Sequence, residues 1–182
     1  MGRKLSKIYT SWQQIFIICS CLSTFSADYV HAQEEKWIIS KNPEEVIVVD
    51  GDSLEIGKKR IRLMGIDAPE YDQFCKNEKG RLYPCGRQSA QYLQDLIGHK
   101  KIRCLLHKKD KYDRELCTCY ADSQDINAEM IKSGQAIVYL ESNYRSEQAK
   151  AQKEKKGIWR GIFIHPRLFR LLKSQSAQKN KN

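Results

Sequence analysis

Trp37–Ile39 and Val46–Val49 are runs of β-favouring side chains, and the Asp50-Gly51-Asp52-Ser53 sequence interrupts the second with turn chemistry. Ser53–Ile56, a turn at Gly57-Lys58 and Arg60–Ile66 predict a hairpin. In its second arm Ile61, Leu63 and Gly65 share one face while Arg60, Arg62 and Met64 share the other. Arg62 is therefore expected on a rigid strand, outside the apolar face. Tyr71–Pro84 shows little periodicity and reads as a long loop whose ends carry Cys75 and Cys85. Gly86–Ile97 aligns Ala90, Leu93, Leu96 and Ile97 on one stripe, which predicts a helix. Strands follow at Ile102–Leu106 and Glu115–Ala121, joined by a charged turn. Asp125 caps a second expected helix that runs to Ser133 with Ile126, Met130 and Ile131 inward. Ala136–Leu140 is short and apolar, and a third helix is expected over Ser146–Lys156. Gly98, Gly134 and Gly157 stop the three helices. Five short strands with three interspersed helices predict an α+β fold, a small barrel with helices packed on it.

The two ends of the chain differ from this pattern. Arg3, Lys4 and Lys7 precede an apolar run from Ile15 to Ala27, and Val30-His31-Ala32 follows as a small-x-small site. That order predicts a secretory signal peptide over 1–32, leaving a mature domain at 33–172 with no stable membrane association. The run is shorter than a bilayer crossing requires. From Lys173 the tail (173–182) lacks apolar side chains and is expected to be flexible.

The chain has 182 residues, room for one ordinary domain, and 41% of them are hydrophobic, enough for a core. Its 32 Lys and Arg exceed its 22 Asp and Glu, a formal charge of +10, so polyanions are the expected partners. The basic excess survives loss of residues 1–32, which hold only Arg3, Lys4, Lys7 and Asp28 as charges. Cys19 and Cys21 leave with the signal, and five cysteines remain for an oxidising compartment: two disulfides and one spare thiol. A zinc site is disfavoured because no CxxC pair exists. A Cys75–Cys85 bond would close the loop beside Glu70. Cys104 shares a face with Ile102 and Leu106, and either Cys117 or Cys119 could meet it from the neighbouring strand.

Three polar clusters carry candidate chemistry: Asp50–Ser53, then Arg62 with Asp67-Ala68-Pro69-Glu70, then Asp110-Lys111-Tyr112-Asp113-Arg114. Phosphodiester cleavage needs charge neutralisation on a non-bridging oxygen, a base for water and cations for the five-coordinate phosphorus. Asp52 and Asp67 supply hard oxygen ligands suited to Ca²⁺, and Glu70 is a spare carboxylate placed to act as base. Arg62 and Arg114 offer planar forks that grip phosphate bidentately.

The stretches VDGDSLEI, RIRLMGIDAPE, DKYDRELCTCYAD and INAEMIKSGQAIVYL resemble the thermonuclease (micrococcal-nuclease-like) family, and KKGIWRGIFIHPRLFR resembles the ending of its exported bacterial members with extra cysteines. The resemblance covers about Val46 to Arg170. It implies an OB-fold five-stranded β-barrel with three α-helices and Ca²⁺-dependent hydrolysis of DNA and RNA to 3′-phosphate ends. By motif position, Asp52, Asp67 and the carbonyl of Ala68 match calcium ligands, Glu70 the base, and Arg62 and Arg114 the phosphate-binding arginines. Lys111 and Tyr112 match holders of a terminal phosphate, and Tyr139 a tyrosine near the base. The cysteine spacing of such members favours Cys104–Cys119, leaving Cys117 free. Ser53 and Ala68 stand where the family has Thr, and Asp113 where it has Gly, which adds a negative charge near the phosphate site.

The expected protein is an exported, periplasmic or secreted, monomeric endonuclease. Its rival is a non-catalytic barrel that binds nucleic acid or another polyanion.

Overall fold

The computed structural model describes residues 35–140 and 142–179; the expected signal segment 1–32 and the end of the tail lie outside them. The strands are β1 (Lys36–Ile39), β2 (Val46–Asp50), β3 (Ser53–Ile56), β4 (Lys59–Leu63), β5 (Ile66–Asp67), β6 (Cys75–Lys76) and β7 (Leu82–Tyr83). Helix α1 (Cys85–Ile97) leads to β8 (Ile102–Lys109), β9 (Glu115–Ala121) and β10 (Gln124–Asp125). Helix α2 (Ile126–Lys132), β11 (Ile137–Val138), α3 (Arg145–Lys153) and α4 (Pro166–Lys179) complete the chain.

The main sheet runs β1-β8-β9-β4-β3-β2, with β10 added to β9. Its strands alternate as the periodicity demands: along β9, Glu115, Cys117, Cys119 and Ala121 are buried and the residues between them half-buried. All its pairings are antiparallel except β4 with β9, where Ile61 faces Glu115, Arg62 faces Leu116 and Leu63 faces Cys117. The α+β class is observed, with two departures from expectation. First, β1 and β2 lie at opposite ends of the ladder, so among the described residues the sheet is open and not a closed five-stranded barrel. Gly65, with a φ of 80°, turns the chain after β4. Ile66 and Asp67 therefore leave the hairpin arm and pair with β11 in a separate two-stranded sheet. Second, the described residues form four α-helices: the tail expected to fray from Lys173 continues α4 as far as Lys179.

Leu54, Ile61, Leu63, Leu93, Ile97, Ile102, Ile126, Met130 and Ile131 fill one core between the sheet and α1 and α2. A smaller cluster of Cys75, Cys85, Ile137 and Ile158 packs against Tyr83, Trp159 and Phe163, so these three aromatics are packing residues. Trp159 and Phe163 meet edge to face with centroids 5.1 Å apart. The disulfides are Cys75–Cys85 and Cys104–Cys119, and Cys117 is a buried free thiol whose burial pushes it up to about 12.

Cys75 and Cys85 stand 10 residues apart across the β6–β7 loop, so their bond removes loop entropy from the unfolded chain worth ~2–3 kcal/mol. Replacing both with Ser is expected to lower the melting midpoint by roughly 5–10 °C in thermal unfolding followed by circular dichroism. An unchanged midpoint would show that the bond does not restrain the unfolded chain.

Candidate active site

Two acidic turns meet beneath α1. In the first, Asp50 Oδ1 accepts the Asp52 N–H at 3.0 Å and closes the β2–β3 turn. A Cβ on Gly51 would stand 1.9 Å from Ser89 Oγ and 2.7 Å from the Ala68 Cβ, so only glycine lets this turn lie against α1. In the second, β5 carries Asp67 opposite Ile137 of β11. The turns are joined directly: the Ala68 N–H donates to Asp52 Oδ2 at 2.6 Å, and Leu63 N–H donates to the Asp52 carbonyl at 2.8 Å. Ser53 Oγ, the hydroxyl kept in place of the family Thr, donates to Asp52 Oδ1 at 3.0 Å.

Asp52 and Asp67 are buried, at 2% and 0% exposure, and buried carboxylates are tolerated only when paired. Arg62 supplies the pairing from the outward face of β4. Its Nη1 contacts Asp52 Oδ1 and its Nη2 donates to Asp67 Oδ1 at 2.7 Å. Burial pushes the Asp52 carboxyl well above the usual carboxylate range, against the lowering effect of Arg62. Burial also opposes the charge on Arg62, but Asp52 and Asp67 outweigh it and hold that guanidinium above its ordinary range.

Glu70 is half-buried and its backbone is held from three sides. Its N–H donates to Gln73 Oε1 at 3.2 Å, and its carbonyl accepts the Gln73 N–H at 2.7 Å. A Cβ on Gly86 would lie 1.7 Å from the Glu70 oxygen, so α1 can begin here only with glycine. Gln73 is fully buried and its Nε2 donates to the Ile164 carbonyl at 2.6 Å, tying the Glu70 turn to the segment before α4.

Arg170 of α4 was not among the expected site residues, yet it reaches the centre of the site. Its Nη1 donates to Asp67 Oδ1 at 3.0 Å and to Glu70 Oε1 at 2.6 Å, and its Nη2 donates to Asp67 Oδ2 at 3.1 Å. Burial works against this charge, but the hydrogen bonds with Asp67 and Glu70 raise it above the ordinary arginine range. No local motif marks Arg170; the available signal is a basic residue within the apolar turn HPRLFRLL, too common to single out.

Arg114 is placed differently from Arg62. Its Nε and Nη2 each lie 2.8 Å from Asp110 Oδ2, and it makes no hydrogen bond to Asp52, Asp67 or Glu70 among the described residues. It does lie on the correct face. Leu116 is the register partner of Arg62, and Arg114 precedes it by two residues, roughly 7 Å along the strand. Arg60 Nη2 donates to the Tyr112 carbonyl at 2.5 Å and holds this turn to β4. Tyr112 is exposed, with Lys111 Nζ 5.0 Å and Arg114 Cζ 5.7 Å from its ring centroid. Asp113, at the position of the family glycine, keeps the left-handed backbone with φ 61°. Its carboxylate accepts from Lys109 Nζ at 2.7 Å, so the added charge is paired. Tyr139 is half-buried just beyond β11, and its N–H donates to the Gly65 carbonyl at 3.0 Å.

The donor set suits a hard dication. Four carboxylates (Asp50, Asp52, Asp67 and Glu70) stand near two guanidinium groups, so hard oxygen donors outnumber the cations that pair with them. Among the described residues no three His, Cys, Asp or Glu side chains converge as a cage, so main-chain oxygen and water would complete the coordination.

Residues 60–161 match the family model described as staphylococcal nuclease homologue, a stretch that holds Arg62, Asp67, Ala68, Glu70, Lys111, Tyr112, Arg114 and Tyr139. Asp52 and Arg170 lie outside it. The succinoglycan biosynthesis protein ExoI of Rhizobium meliloti (strain 1021) is 39% identical over 118 residues, covering 62% of each chain. A Haemophilus influenzae protein named "Uncharacterized endonuclease" is 35% identical over 129 residues, 65% of this chain and 67% of its own. "Probable endonuclease LCL3" of Colletotrichum graminicola is 31% identical over 136 residues, 65% of this chain and 48% of its own. The chain thus spans less than two thirds of the first of these relatives and about half of the fungal one. With more than half of its length inside the family match, the chain belongs to the staphylococcal nuclease homologue family.

Proposed function

We propose that the protein is an exported, Ca²⁺-dependent endonuclease that hydrolyses phosphodiester bonds of DNA and RNA and leaves 3′-phosphate ends. The observation that carries this is the buried Asp52–Arg62–Asp67 bridge with Glu70 three residues further on, inside a nuclease-family chain. Asp52, Asp67 and the carbonyl of Ala68 would hold the ion; when bound, it supplies charge neutralisation on a non-bridging phosphate oxygen. Glu70 takes a proton from the attacking water, its main chain fixed by the bonds to Gln73. Arg62 and Arg114 donate to the phosphate as negative charge builds on the phosphorane, Arg114 after exchanging its bond to Asp110 for the substrate. Lys111 and Tyr112 receive a terminal phosphate, and Tyr139 the sugar or base beside it. Exposed Lys76, Lys79, Arg81, Lys100, Lys101, Arg103, Lys108 and Lys109 contribute affinity that is independent of sequence and weakened by salt.

Two disulfides favour export, since such bonds persist in oxidising compartments, and no described helix is long and apolar enough to cross a membrane. The protein is proposed to act as a monomer. The relative named for succinoglycan biosynthesis suggests a second reading, a polyanion-binding protein without hydrolysis. That reading leaves the aspartates, the arginines and Glu70 without a reason to converge.

Incubated with single-stranded DNA, the oxidised protein is expected to cut in Ca²⁺ and to stop in chelator, with Glu70→Gln slower by ~10²–10⁴-fold. Binding without cleavage in every condition would replace the nuclease with the binding reading. Asp113→Gly, which removes the negative charge beside Arg114, is expected to tighten nucleotide binding about two- to threefold at low salt and less at high salt. Unchanged affinity at low salt would mean that Lys109 already cancels the effect of Asp113.

A further inference from the structure

Helix α4 has 14 residues, of which Pro166 is the sole buried one. Leu168, Leu171 and Leu172 are 50%, 51% and 44% exposed. A helix of this length has little stability alone and normally takes it from an apolar face packed on the core. That support is nearly absent here, and polar contacts stand in for it. Arg170 makes its three hydrogen bonds to Asp67 and Glu70, and Lys173 Nζ lies 2.5 Å from Asp72 Oδ2. The chain before the helix is held separately, through Gln73 to Ile164 and through paired backbone bonds between Lys76 and Ile162.

The partners of α4 are therefore two of the carboxylates at the candidate cation site. Asp67 Oδ1 already accepts from Arg62 and Arg170, which fills both its lone pairs, and Oδ2 accepts from Arg170. Arg170 also covers Glu70 Oε1. A dication approaching these oxygens meets a fixed positive charge within hydrogen-bond distance of each. We propose that Arg170 and the divalent cation compete for Asp67 and Glu70, so that docking of α4 and metal binding oppose each other. The inference rests on the calcium reading given above. Docked, α4 neutralises two carboxylates that would otherwise repel each other; as the cation binds, Arg170 withdraws and the helix loses its main attachment. Glu70 is freed in the same step, because its Oε1 no longer carries a guanidinium.

The test is calorimetric titration of CaCl₂ into the oxidised protein, Arg170→Gln and Lys173→Gln, with hydrogen exchange of α4 amides measured with and without Ca²⁺. Arg170→Gln is expected to bind Ca²⁺ on the order of tenfold tighter, since one opposing unit charge is gone from the site. Lys173→Gln loosens α4 without touching Asp67 or Glu70, so a smaller gain is expected. In the unsubstituted protein, Ca²⁺ is expected to speed exchange in α4 and leave α1 unchanged. Equal or weaker Ca²⁺ binding by Arg170→Gln, or α4 exchange that ignores Ca²⁺, would overturn the competition while leaving the calcium reading intact. Failure of all three proteins to bind Ca²⁺ would overturn the calcium reading, and the competition with it. Should Arg170→Gln not fold, Lys173→Gln and the exchange measurement decide the matter.

Discussion

Everything at the site depends on one guanidinium placed between two buried carboxylates. Asp52 closes a hairpin turn and Asp67 sits on a two-residue strand of another sheet, so no backbone pairing connects their side chains. Arg62 and the Ala68 N–H join them. Because both acids are buried, removal of Arg62 would leave Asp52 without its cation and Asp67 with Arg170 alone, and the two turns would be joined only through the backbone. The same arrangement gathers oxygen donors away from water, which is the feature the proposed calcium site rests on.

A second layer of contacts orients this arrangement. The Cys75–Cys85 bond ends at the first residue of α1, and the next residue, Gly86, lies against the Glu70 carbonyl. Gln73 spans from the Glu70 N–H to the chain ahead of α4. Position of the proposed base is thus set by a covalent bond, a close backbone approach and a buried amide, all within a loop with little apolar periodicity. Precision in that loop comes from specific polar contacts and the crosslink, with only a small apolar cluster behind it.

Much of this was legible in the residues, and the failures have physical causes. Period-two alternation located the strands, and Asp125 does cap α2 through the Ala128 N–H. The acidic turns and Arg62 stood out because turn chemistry and strand parity are local properties. Sheet closure is not local: it depends on pairing between strands far apart in the chain, and the ladder ends at β1 and β2, while left-handed Gly65 turns Asp67 toward β11. The helical tail has little apolar face to mark it in the sequence, and α4 is held instead by Arg170 and Lys173. Arg170 itself lies 103 residues from Asp67, beyond the reach of any spacing argument. Arg114 stood out as a planar fork for phosphate, but its pairing with Asp110 four residues earlier did not.

The buried thiol of Cys117 bears on how the chain reaches this state. On β9 it precedes Cys119 by two residues, so both point to the same side and toward the strand that carries Cys104. A two-residue slip of β9 along β8 keeps every side chain on its own face. That slip would bring Cys117 opposite Cys104, so the hairpin has a second oxidised isomer that inward-facing hydrophobicity does little to forbid. The parallel pairing of Leu63 with Cys117 is what distinguishes the two, since it anchors β9 against β4 in one register. Thiolate attack on the Cys104–Cys119 bond is suppressed in the finished protein because the thiol stays protonated and enclosed. Before β4 docks, that protection is absent. The β4–β9 register is thus also what keeps Cys119, and not Cys117, opposite Cys104.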